Sequence, residues 1–185
     1  MLGRFDLSPI FRAHWKVLSK DTQNGTEPDW PARLGLLLPS ISAPAAMIIC
    51  GWSLAQPTAL LTAVALLAGA LIAAFAELSS LRIKLSERYD PGEQDGENDK
   101  AAIDESVTHV LFASFLLFVN AAVLTIGLAM APEDAKSLTG PAAWISAGLF
   151  TYTVILALML IPRLLYAYTQ ANKVRDDLNG FYIGR

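Results

Sequence analysis

In this chain the hydrophobic positions come in long unbroken blocks. No Asp, Glu, Lys or Arg interrupts 34–76, 106–132 or 137–162. A helix at the surface of a soluble domain sets a polar face against its apolar one. These blocks lack that polar face, so their surroundings must be lipid or other protein. Crossing a hydrocarbon core of about 30 Å takes about 20 apolar helical residues. The first block is about twice that long and holds two crossings, and the other two hold one each. The pattern predicts an all-α protein: a four-transmembrane-helix bundle with helical cytosolic extensions and an N-terminal amphipathic helix.

Turn formers and prolines divide the blocks. Within 7–20, Ile10, Phe11, His14, Trp15 and Leu18 recur at helical spacing, while Arg12, Lys16 and Lys20 lie off that face. Ser8 is an expected N-cap, with Pro9 at the first helical position. Such a short basic amphipathic helix either lies in the membrane interface or packs on the protein's own cytosolic side, and the interface is the favoured reading. The stretch 21–30 is read as a loop. Span one is expected over 31–53, with Trp30 and Trp52 at its ends as interface anchors. Pro39 and Pro44 each remove a helical hydrogen bond and are expected to kink it, with Ser40 and Ser42 available to the freed carbonyls. Span two follows at 58–78, where Ala65, Gly69 and Ala73 form a small-residue stripe. It should continue into water as far as Tyr89. The acidic 90–100 segment reads as a mobile loop, with Asp99 or Asp104 capping span three at 107–130. Span four covers 142–166, with Trp144 near its start, and a helical extension runs to Asn179-Gly180.

The basic residues orient these spans. The N-terminal segment carries Arg4, Arg12, Lys16, Lys20 and Arg33; the middle segment Arg82, Lys84, Arg88 and Lys100; the C-terminal segment Arg163, Lys173, Arg175 and Arg185. The turn at 54–57 has none, and 131–141 has only Lys136. The positive-inside rule then places both termini and the middle segment in the cytosol, in a cell inner (plasma) membrane. The expected divisions are a cytosolic or interfacial segment (1–30), a first transmembrane hairpin (31–78), a cytosolic hairpin loop (79–106), a second transmembrane hairpin (107–166) and a cytosolic helix and tail (167–185).

Composition agrees with lipid as the solvent: 54% of residues are hydrophobic and 17% charged, with a net charge of −3. A chain with that acidic balance does not suggest a nucleic-acid partner. A single cysteine, Cys50, rules out an intrachain disulfide and a dithiol redox pair. Two histidines, His14 and His109, are too few for a membrane di-iron centre or for two bis-histidine haems. No Walker A, GxSxG, HExxH or GxGxxG motif occurs in a suitable context. No carboxylate lies at the centre of a span, which weighs against proton-coupled transport. No cofactor, metal site or catalytic residue is expected.

Three groups of residues stand out. Asn120 is the one strongly polar side chain deep in a span, roughly 20 Å from the inner start of span three. It shares a face with Ala113 and Gly127, and its amide must meet another helix or line a pore. Glu77, His109 and Arg163 fall at the cytosolic edge, where Glu77 and Arg163 can pair or snorkel separately. Phe11 and Trp15 join Trp30, Trp52 and Trp144 as membrane-interface candidates, and Pro39 and Pro44 mark a kink or hinge.

The favoured function is a non-enzymatic membrane-embedded subunit or scaffold that self-associates, as a homo-oligomer, or binds a membrane or cytosolic protein partner. The alternative is an oligomeric pore, channel or membrane-disrupting effector of the defence or lysis type. A lipid enzyme built on Glu77, His109 and Arg163 is the weakest reading.

Overall fold

The computed structural model describes residues 6–22, 25–88, 94–132 and 136–171. It contains five helices: α1 (Ser8–Val17), α2 (Trp30–Cys50), α3 (Pro57–Arg88), α4 (Gln94–Met130) and α5 (Pro141–Ala171). A short hairpin, β1 (Ser19–Thr22) and β2 (Gly25–Pro28), joins α1 to α2. The expected all-α architecture is present. The four long helices are long and apolar enough to cross a membrane over Trp30–Cys50, Pro57–Lys84, Lys100–Met130 and Pro141–Tyr166.

Helix α4 is the hub. Of its most apolar window 39% is buried, against 11% for α2, so α2 is the peripheral span. Helix α4 packs on α3 and α5, and α2 packs on α5. Contacts between Gly127 and Ala142, Phe112 and Tyr152, and Glu105 and Arg163 show that α4 and α5 run antiparallel. The buried seam of α4 steps through Ile103, Ser106, Val110, Ala113, Leu117, Asn120, Leu124 and Gly127, alternating three and four residues. Helix α3 answers with Pro57, Val64, Leu71 and Leu78, each seven apart. A repeat of 3.5 keeps one stripe of a helix facing its neighbour through a left-handed supercoil. Small residues on that seam draw the helices close: a Cβ at Gly127 would lie 2.7 Å from the Cβ of Ala142. The Ala65–Gly69–Ala73 stripe lies on the opposite, exposed face of α3, and among the described residues nothing comes within 4 Å of a Cβ at Gly69.

The two connections on the other side of the bundle are tied together. Leu54 and Leu138 form an antiparallel bridge, each N–H donating to the other's carbonyl at 2.9 Å. Helix α2 ends at Gly51, whose φ of 65° places it in the left-handed region that glycine tolerates.

Several local expectations are corrected. The 21–30 stretch holds most of a hairpin, in which Lys20 pairs with Glu27 and Thr22 with Gly25. Helix α4 starts at Gln94, so the latter part of the acidic segment is its first turns, and Asp99 and Asp104 lie inside the helix. Acidic residues suit a helix N-terminus through its dipole. The cap of α1 is Leu7, not Ser8; the Asp6 carboxylate accepts from the Ser8 N–H at 2.9 Å. The expected helix end at Asn179-Gly180 and the tail beyond it lie outside the described residues.

Candidate functional site

Helix α1 packs against α4 of the bundle. His14, on its apolar face, is fully buried. Its ring stacks on Phe112 of α4, with centroids 3.9 Å apart and planes 13° from parallel. Phe11, one turn earlier, meets Phe112 and Phe115 edge-on. Arg33, in the first turns of α2, holds the other end of α1. Its Nε donates to the Leu18 carbonyl at 3.0 Å, and its Nη2 to the Trp15 carbonyl and the Ser19 hydroxyl at 3.1 Å each. These bonds satisfy carbonyls that a helix C-terminus leaves open. The guanidinium also sits 5.1 Å from the centre of the Trp15 ring, a cation–π distance.

The polar centre of this docking is a three-residue chain. The His14 Nε2 lies 2.7 Å from the Tyr152 hydroxyl of α5, and the His14 Nδ1 lies 3.2 Å from the His109 Nδ1 of α4. Two facing nitrogens can hold only one proton between them. The His109 Nε2 is buried without a partner. An orphaned N–H is costlier than an unused lone pair, so His109 carries its proton on Nδ1 and donates to His14. His14 then donates from Nε2 to Tyr152. This tautomer leaves the Tyr152 O–H free to donate elsewhere. Burial in the apolar contact pushes the pKa of His14 down to about 4, so it stays neutral at ordinary pH.

Beside this chain an apolar groove of about 450 Å³ runs along α5. Ile145, Gly148, Leu149 and Tyr152 form its floor. Ser40 and Pro44 of α2 form one wall and Phe112 and Leu116 of α4 the other, while Phe11 and Trp15 of α1 close one end. Helix α2 comes close at Gly148, where a Cβ would stand 3.0 Å from the Ser40 carbonyl. Pro44, lacking an N–H, is the reason that carbonyl has no helical donor. The Ser40 hydroxyl bonds to the Leu36 carbonyl at 2.6 Å and that of Ser42 to the Pro39 carbonyl at 3.1 Å. Neither serine covers a carbonyl that a proline frees, contrary to expectation. Helix α2 nonetheless runs unbroken through Pro39 and Pro44.

The remaining candidates separate. Asn120, Ala113 and Gly127 do share the buried seam of α4. Asn120 is fully buried, and neither its Oδ1 nor its Nδ2 has a partner. Ser146 of α5, also fully buried, is likewise unpaired. Other buried hydroxyls, on Ser106, Ser114 and Thr153, bond to the carbonyl four residues back. Glu77, His109 and Arg163 do not meet one another. Arg163 pairs with Glu105 at 3.1 Å and Glu77 is exposed, because α4 continues as helix N-terminal to His109 and brings Glu105 alongside α5. A second pair, Arg82 with Asp104 at 2.7 Å, ties α3 to the same extension. His109 turns to His14 instead. Trp30 and Trp52 are exposed at the ends of α2, whereas Trp144 lines the groove. Sequence reasoning missed Tyr152, Glu105 and Phe112. A helical tyrosine or phenylalanine carries no signal of its own, and Glu105 had been placed just outside span three.

Among the described residues no group of three His, Cys, Asp or Glu side chains could hold a metal ion. Comparison with protein-family models, with curated proteins and with solved structures finds no match for this chain.

Proposed function

We propose that this protein is a non-enzymatic, multi-pass inner-membrane subunit or scaffold, with both termini cytosolic, that self-associates or binds a cytosolic partner. The observation that carries this reading is the complete burial of Asn120. The one amide deep in the bundle sits in a packed helix seam, which supports a structural core over a pore lining. The histidines are spent on docking α1, and the two ion pairs tie helices together at the cytosolic end. Among the described residues much of α2 beyond its face on α5, and the outer face of α3, are exposed, which supports contact with another copy or another membrane protein.

Reconstitution into liposomes tests this. The expected result is no ion flux above that of empty vesicles, together with a stable oligomer or a co-purifying protein in mild detergent. Flux that changes when Asn120 is substituted would favour the pore. The pore reading keeps one observation in its favour: the exposed Ala65–Gly69–Ala73 stripe suits close packing of copies around an axis.

A further inference from the structure

We infer that the groove along α5 is a binding site for one acyl chain of an anionic phospholipid, with the phosphate held at the α1 end by Arg12 and Lys16. The inference rests on the helices crossing a bilayer, and it holds whether or not the protein conducts ions.

The groove has the size and chemistry of a ligand site. Its volume of about 450 Å³ falls within the roughly 300–1,000 Å³ of small-molecule pockets, which are mostly apolar with a few placed polar groups. From Trp144 to Tyr152 the floor extends eight residues of helix, about 12 Å. That is a slot parallel to the helix axes, which is how an acyl chain lies in a leaflet. It is open at the side toward lipid and closed at one end by Phe11 and Trp15.

Polarity is graded along the slot. Ile145, Leu149 and Leu116 line it away from α1, beside Ser40 and Trp144. Toward α1 Tyr152 lines it, and the histidine tautomer leaves the Tyr152 O–H without an acceptor in the His14–His109 chain. On α1, Phe11 and Trp15 face the groove. Arg12 and Lys16 each follow one of them by a single residue, so they form the adjacent stripe of the same helix, and both are exposed. Arg33 and Trp30 mark this end as the headgroup level of α2. A basic rim over an apolar slot between spans is complementary to an anionic headgroup joined to a tail, and a zwitterionic lipid loses that match. Asp6 and Asp21 are the carboxylates nearest in sequence to this rim, with Glu27 and Asp29 beyond them; Asp6 accepts from the Ser8 N–H and Asp29 caps α2 through the Ala32 N–H.

Tryptophan quenching in vesicles tests the inference. The full chain, with Trp30→Phe and Trp52→Phe so that Trp15 and Trp144 report, is placed in phosphatidylcholine vesicles. A small fraction of either brominated phosphatidylglycerol or brominated phosphatidylcholine is then added. The expected result is quenching by the phosphatidylglycerol at about fivefold lower mole fraction. Arg12→Gln with Lys16→Gln should abolish that preference while the brominated phosphatidylcholine still quenches as before. Ile145→Phe, at an exposed position on the groove mouth, should reduce quenching by both lipids without unfolding the bundle. Equal quenching by the two lipids in the parent protein overturns the headgroup assignment. Quenching unaffected by Ile145→Phe overturns the groove.

Discussion

The Nδ1 atoms of His14 and His109 face one another at 3.2 Å across 95 residues of sequence. That contact makes α1 part of the bundle, and it tolerates one shared proton and no more. The charged groups around it are Arg33 at the end of α1 and the Glu105–Arg163 pair one turn from His109.

Docking of α1 should therefore depend on pH. The pKa of His14 falls from about 6.5 when undocked to about 4 when docked. An imidazole that docks only when neutral takes up its proton more readily when free. The docked state then keeps its full stability above pH 6.5, loses it progressively as pH falls toward 4, and loses no more below. Fluorescence of Trp15 alone, with the other three tryptophans replaced by Phe, should shift through that window. His14→Phe should flatten the response; an unchanged response in that variant would show that another group titrates.

Removing the Arg33 clamp should free α1 without disturbing the spans. Arg33→Met loses three charge-assisted bonds that are partly solvent-screened, for about 2 kcal/mol of docking. Protease cleavage after residue 20 should accelerate while the thermal unfolding of the four-helix bundle stays put. Bundle unfolding that drops in step with α1 release would contradict two separable units.

The close approach at Gly127 predicts a steric cost. Gly127→Ala places a methyl 2.7 Å from the Cβ of Ala142 and should destabilise by about 1–3 kcal/mol. Ala142→Gly in the same chain should restore most of that loss. Additive losses in the double variant would mean that the two helices do not meet there.

Asn120 should be replaceable. Its amide is buried with neither atom paired, so Asn120→Leu removes a desolvation penalty and should stabilise the protein by about 1 kcal/mol in detergent. Loss of assembly or of folding in this variant would give the amide a partner that a single copy lacks.

The four long helices were legible because hydrocarbon enforces uncharged runs, and 34–76 has no soluble explanation. The arrangement around them was not. On α1 the face bearing Phe11, His14 and Trp15 looks the same whether it meets lipid or α4, since both are apolar. Periodicity inside the spans was equally mute, because an exposed Leu66 and a buried Leu71 are the same residue type. The seven-residue spacing of Ala113, Asn120 and Gly127 did point to the packed seam of α4. Of the two readings for Glu77 and Arg163, pairing with each other or separate placement, they stay apart; Arg163 meets Glu105, one turn before His109 on α4, and hydropathy alone gives no register between α4 and α5.

The most direct test of the account is labelling of single cysteines by a membrane-impermeant maleimide in intact bacterial cells expressing the chain with Cys50→Ser. The account predicts that Gln56→Cys, between α2 and α3, reacts at once, whereas Lys16→Cys and Lys100→Cys react only after the membrane is permeabilised. Labelling of Lys100→Cys from outside, or protection of Gln56→Cys, would contradict it.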